Sequence, residues 1–288
     1  MTDVQPDGPA TIAHMQFVNA DVLILLVNEG AEPGDGMSLL YAVDIGMLLK
    51  AQDIPDAFAE FEGWLTTFWV HGPEHLFIGT ADGVVLITDG DDFEEFELSE
   101  RGVTSIVGSA RDCAYAATAG GEVYHWDGSK WSDIASPFGG AVYALAIGFD
   151  GSVFACGADA EFAVFDGTAW ALAEMPTNAQ LNGLLVESGG VVVCGNSGIV
   201  ARLSVSELEL LPPVGSNAFA MAKFDENLCV AASQRGVLAL KGEDWESLDR
   251  GFIAFGLASS EHFLVAAGAD ELAIFDRDAW TVVSLRST

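Results

Sequence analysis

"VYHWDGSKW", residues 123–131, joins a Trp-Asp pair to an Asp-Gly turn and a lysine, in a chain with only four lysines. The stretch is one copy of a recurring pattern. "VVLITDGDDF" stands at 84–93, "EVYHWDGSKW" at 122–131, "EFAVFDGTAW" at 161–170, "VLALKGEDW" at 237–245 and "ELAIFDRDAW" at 271–280. The copies close on Phe93, Trp131, Trp170, Trp245 and Trp280. The first two gaps, 93 to 131 and 131 to 170, are 38 and 39 residues. The 75 residues from Trp170 to Trp245 make two periods, with Leu208 of "ARLSVSEL" in place of the missing aromatic.

Each copy follows a second recurring stretch: "LFIGTADG", "YAATAGG", "VFACGADA", "VVVCGNSG", "CVAASQRG" or "LVAAGADE". Before that comes an apolar run such as "TSIVGSA" or "VYALAIG". Each period therefore holds four short strands, the last two joined by an Asp-Gly turn suited to a two-residue hairpin. Four antiparallel strands every 38 or so residues make a propeller blade. Six blades are plain from residue 64 onward, and 12–63 reads as a longer, diverged seventh. In that first blade "KAQDIPDAFAEFEG" (50–63) is expected to form a short helix where the others turn.

The fold expected is all-β: one domain, 1–288, as a seven-bladed β-propeller of four-stranded antiparallel blades. Their spans are about 12–63, 64–100, 101–139, 140–178, 179–214, 215–250 and 251–288. The C-terminal blade owns four strands, ending in "AWTVVSLRS", so the ring should close without an exchanged N-terminal strand. The pattern resembles the bacterial seven-bladed propeller superfamily that includes WD40, kelch and Asp-box proteins. "HWD" at 125–127 occurs once, Asp and Gly are adjacent where an Asp-box separates them, and "FAVFDGTAWALAEMP" comes nearest to kelch. No subfamily is assigned.

Forty-three acidic residues face eleven basic ones, a formal net charge of −32. Such a field repels phosphate backbones and anionic membrane surfaces, so neither nucleic acid nor membrane is an expected partner. It attracts basic proteins and steers their approach. Half the residues are apolar, yet the longest aliphatic run, Val22 to Val27, is too short to span a bilayer. With no signal-peptide pattern in "MTDVQPDGPA", the chain reads as cytoplasmic. Cys113, Cys156, Cys194 and Cys229 form no C-x-x-C pair and sit in apolar stretches, which reads as free core thiols.

No catalytic constellation emerges, and no cofactor or metal is expected. The arginines (101, 111, 202, 235, 250, 277, 286) share no locus of the kind a sialidase needs. "HGPEH" at 71–75 cannot be a zincin helix. "TDGDDFEE" at 88–95 lacks EF-hand spacing. The tryptophans recur at one blade position, which implies packing between blades.

The function expected is a non-enzymatic, monomeric binding propeller that neutralises or chaperones a basic protein, in the manner of an immunity protein against a toxin. Specificity should lie in the second-to-third strand turns and the connections between blades. The residues expected there are Glu29, Glu32, Asp35, Asp82, Asp159, Glu161, Asp270 and Glu271, with Phe138 and Phe252 as aromatic anchors. Two other classes stay open: a propeller hydrolase or lyase acting on a sugar or peptide, and an acidic assembly scaffold.

Overall fold

A computed structural model describes residues 10–30, 36–51, 54–72, 75–89, 92–204, 207–248 and 251–285. Seven four-stranded antiparallel sheets follow one another along the chain, with strands at 10–62, 65–97, 103–133, 142–173, 181–210, 220–247 and 256–284. This is a seven-bladed β-propeller. In each blade the strands pair in chain order from the innermost outward. The first-to-second and third-to-fourth strand turns therefore lie at one end of the ring, the hairpin face. The second-to-third turns and the connections between blades lie at the other, the connection face.

Within a blade the second strand is the most buried, as "VVVCG" shows: Val191, Val192, Val193 and Cys194 have no exposed surface. A strand covered on both sides loses the polar alternation of a surface strand. Cores lie between adjacent blades, as where Val192 and Val200 of blade 5 pack on Met221 and Val230 of blade 6. The ring closes as expected, without strand exchange. Leu23, Leu25, Val43 and Leu48 of blade 1 pack on Val265, Leu272, Ile274 and Val283 of blade 7.

The repeated tryptophans act as staples between blades. Trp170 Nε1 donates to Ile134 O at 3.1 Å, Trp245 Nε1 to Pro212 O at 2.6 Å and Trp280 Nε1 to Leu248 O at 2.9 Å. Each acceptor lies on the connection leading into the blade that carries the tryptophan. Blade 3 departs from this pattern: Leu98 O takes the Tyr124 hydroxyl at 2.6 Å, and the buried Trp131 Nε1 has no partner.

Two local expectations are corrected. The helix of blade 1 is Ile45–Ala51, earlier than expected. Asp44 Oδ1 accepts the Met47 N–H at 2.8 Å at its start, and Ile45 and Leu48 bury their side chains in the closing seam. In blades 3 and 4 the Asp-Gly hairpins are wider than two residues. In blade 3 Trp126 pairs with Trp131, and Asp127 Oδ1 accepts the Ser129 and Lys130 N–H groups at 2.9 and 3.0 Å, so the aspartate side chain replaces a backbone acceptor. The two-residue spacing does occur in blade 2, where Asp89 pairs with Asp92, and in blade 6, where Lys241 pairs with Asp244.

The cysteines are free; Cys156, Cys194 and Cys229 are buried, and Cys113 is partly so. Burial pushes the Cys194 thiol up to about 12 and the Cys229 thiol up to about 11. Among the described residues no helix is long and apolar enough to cross a membrane.

Candidate functional site: the connection face and the channel mouth

The innermost strands surround a central cavity of about 560 Å³. Its described lining includes no Asp, Glu, Lys or Arg. His14, on the innermost strand of blade 1, lies edge-on to Phe68 at 4.7 Å, and burial lowers its pKa to about 4, so the ring is neutral at neutral pH. At the connection-face end, neighbouring blades are latched together. Thr66 donates to Val103 O, Thr104 to Val142 O and Asn182 Nδ2 to Ala218 O, 37, 38 and 36 residues apart. A further buried node joins blades 1 and 2. The Ser38 hydroxyl stands 2.7 Å from Asn28 Oδ1 and 2.8 Å from Gly63 O, and accepts the Leu65 N–H at 2.8 Å.

Phe219 and Phe255, each just before the innermost strand of its blade, meet edge-to-face at 5.4 Å, and both line the cavity, as does Tyr143. The exposure of Phe255 follows from one short pairing. Ser233 and Ala254 exchange both backbone hydrogen bonds, at 3.0 and 3.1 Å, pinning the blade 6–7 connection to the second-to-third turn of blade 6. Extended backbone alternates its side chains. Phe252 and Ala254 face inward at 7% and 0% exposure, while Ile253 and Phe255 face outward at 48% and 44%.

This corrects the expected anchors. Phe252 packs in the core between blades 6 and 7, and Phe138 in that between blades 3 and 4. The aromatic surface on this face comes instead from Phe255, with Ile253 beside it. The short apolar run Phe252–Phe255 shows no preference for either phase until the bridge to Ser233 is known.

Around the mouth lie carboxylates. Asp82, Asp159, Glu161 and Asp270 occupy second-to-third strand turns of three blades, Asp159 and Glu161 sharing that of blade 4, and Glu271 opens the third strand of blade 7. Asp82 and Asp159 are exposed, as is Glu271. Thr80 donates its hydroxyl to Asp82, and Glu161 accepts the Gly139 N–H at 3.1 Å. Glu29 ends the second strand of blade 1. Desolvation, and then repulsion from Glu60, raises its pKa above the ordinary value. Glu32 and Asp35 lie outside the described residues.

The cations sit elsewhere. All four lysines are at the hairpin face: Lys50 in the blade 1 helix, Lys130 in the blade 3 turn, and Lys223 and Lys241 near the hairpin ends of their strands. Arg111, Arg202 and Arg277 are there too. Several are paired: Arg202 with Glu187 at 2.8 Å and Glu209 at 3.0 Å, Lys223 with Glu226 at 3.2 Å, and Arg277 with Asp225 at 3.0 Å. Among the described residues the connection face holds Arg101 and Arg235. Arg235 donates to Val214 O, which ties it to the neighbouring connection.

No family model matches the chain. It is similar to the protein named Immune protein Tsi7 of Pseudomonas aeruginosa, with 29% identity over 236 residues, covering 74% of this chain and 77% of that one. Among solved structures it resembles the WD40 β-propeller domain of Doa1, with TM-score 0.74, 12% identity, and 95% and 94% of the two chains covered. The computationally designed Ika8 protein gives TM-score 0.70 at 15% identity, covering 96% of this chain and 87% of that one. These two likenesses bear on the fold alone.

Proposed function

We propose that this propeller is an immunity-type binding protein that neutralises a basic, toxic protein partner by stoichiometric association at its connection face. The resemblance to Immune protein Tsi7 carries the reading, since it spans about three quarters of both chains. The charge supports it independently. A net charge of −32 with the lysines gathered on the opposite face leaves the connection face with an acidic rim, and such a rim steers a basic partner. Glu29, Asp82, Asp159, Glu161, Asp270 and Glu271 are the carboxylates proposed to face that partner, in the cytoplasm. The protein acts as a binder without chemistry of its own.

Titration tests this. The tagged chain is used to isolate its partner from the native lysate, and the partner's toxic activity is then measured against increasing amounts of the propeller. Loss of activity complete at an equimolar ratio supports neutralisation by binding. Loss at a small fraction of an equivalent would show turnover and favour the propeller hydrolase or lyase reading instead.

A further inference from the structure

We infer that the connection-face mouth of the central channel receives the apolar tip of a loop on the basic partner, whose flanking lysines or arginines lie on the surrounding carboxylates. The inference rests on the binding reading above and names the part of the partner that is recognised. Two features divide the labour. Ile253, Phe255 and Phe219 form an apolar shelf leading to a cavity of about 560 Å³ lined by uncharged side chains. A cation pushed into that lining would lose its hydration and meet no carboxylate, so the inserted group is apolar. Outside the shelf Asp82, Asp159, Asp270 and Glu271 offer the charge that a basic flank needs. An apolar anchor ringed by polar contacts is the usual anatomy of a strong protein contact. The Ser233–Ala254 bridge holds Ile253 and Phe255 outward before any partner arrives, which lowers the ordering cost of binding.

Two capped peptides serve as probes, Lys-Arg-Gly-Phe-Gly-Arg-Lys and the same sequence with serine at its centre. Both should bind the intact protein more weakly as salt rises. The phenylalanine peptide should bind about tenfold more tightly, as expected for burying one large apolar side chain. That advantage should vanish in Phe219→Ala/Phe255→Ala and persist in Phe149→Ala, which alters an 83% exposed phenylalanine on the hairpin face. Equal, salt-dependent binding of the two peptides to the unaltered protein would overturn the mouth inference and leave the basic-partner reading standing. This comparison needs no variant and so does not depend on one folding. Failure of both peptides to bind at low salt would instead sink the basic-partner reading.

Discussion

The two faces of this ring carry carboxylates in different circumstances. On the hairpin face, Asp127, Asp150, Asp166 and Asp276 turn back on their own loops. Asp166, for example, accepts the Thr168 hydroxyl at 2.7 Å and the Thr168 and Ala169 N–H groups at 2.8 and 2.9 Å. These hydrogen bonds hold their pKa values below the ordinary aspartate value of 3.8, in Asp127 and Asp150 through the serine hydroxyl first, in Asp166 and Asp276 through backbone N–H groups first. On the connection face Glu29 is pushed the other way, by desolvation and then by Glu60. One face spends its negative charge on local structure, with cations close by. The other also ties some carboxylates locally, Asp82 to Thr80 and Glu161 to Gly139, but keeps Asp159 and Glu271 exposed around an apolar mouth.

Both faces hang on one ring, so the largest expected effect is on the ring itself. Trp170→Ala removes both the staple to Ile134 O and its packing against Phe138 and Phe165. It should cost about 3 kcal/mol, toward the lower end for a large aromatic because Trp170 is partly exposed. Urea unfolding measures this. A variant that melts with the parent but loses partner binding would make the tryptophan a ligand contact and end its role as a staple.

Next in size is the contrast of charge. Reversing Asp82, Asp159 and Glu271 to lysine should slow association with the basic partner about tenfold at low salt, with the gap closing as salt screens it. Reversing Asp112, Glu243 and Asp278, exposed on the hairpin face, should do much less. Stopped-flow association rates for the two triple variants decide. Equal slowing would mean that the net charge acts diffusely and the faces do not differ as binding surfaces.

The ring was legible in the sequence because inter-blade packing repeats. Trp131, Trp170, Trp245 and Trp280 fall at one position in four of the blades, and a spacing near 38 residues admits a four-stranded unit. The acidic turns were legible for the same reason, since Asp82, Asp159 and Asp270 occupy the same turn in three blades. Which phenylalanine is exposed was not. Phe252 and Phe255 differ in sequence only by phase, and that phase is set by a bridge to Ser233, in another element of the fold. The inter-blade latches of Thr66, Thr104 and Asn182 are not legible one by one, because polar residues inside apolar strands carry no periodic signal of their own. Their common spacing of 36 to 38 residues to the acceptor is the signal that marks them.

A smaller effect separates turn aspartates on the two faces. Asp166→Ala should lower stability modestly, because two N–H groups and a hydroxyl lose their acceptor. Asp159→Gly should raise it by about a few tenths of a kcal/mol, since Asp159 sits at φ 52, where glycine is at ease. Paired thermal melts check the signs. A destabilised Asp159→Gly would mean that this carboxylate, too, serves its own loop.

The smallest effect tests the sign of the electrostatics. A carboxylate held below its ordinary pKa contributes stability that is present above the ordinary value and lost as pH falls through the lowered one, as for Asp166 and its counterparts. Glu29 runs in the opposite sense. Its raised pKa means that the folded protein holds this proton more tightly than the unfolded chain does. Its penalty is therefore absent below the ordinary value of 4.5 and grows as pH rises through the raised one. Glu29→Gln should consequently be slightly more stable than the parent at neutral pH, with the two converging in acid. A lysine or arginine set between Glu29 and Glu60 by a partner would relieve the same repulsion, so binding should release a proton from the parent near the raised pKa and none from the variant. Calorimetry in buffers of different ionisation enthalpy reads that release. If Glu29→Gln proves less stable at neutral pH, Glu29 is a satisfied structural carboxylate like those of the hairpin face, and the electrostatic distinction between the two faces fails at the residue where it is sharpest.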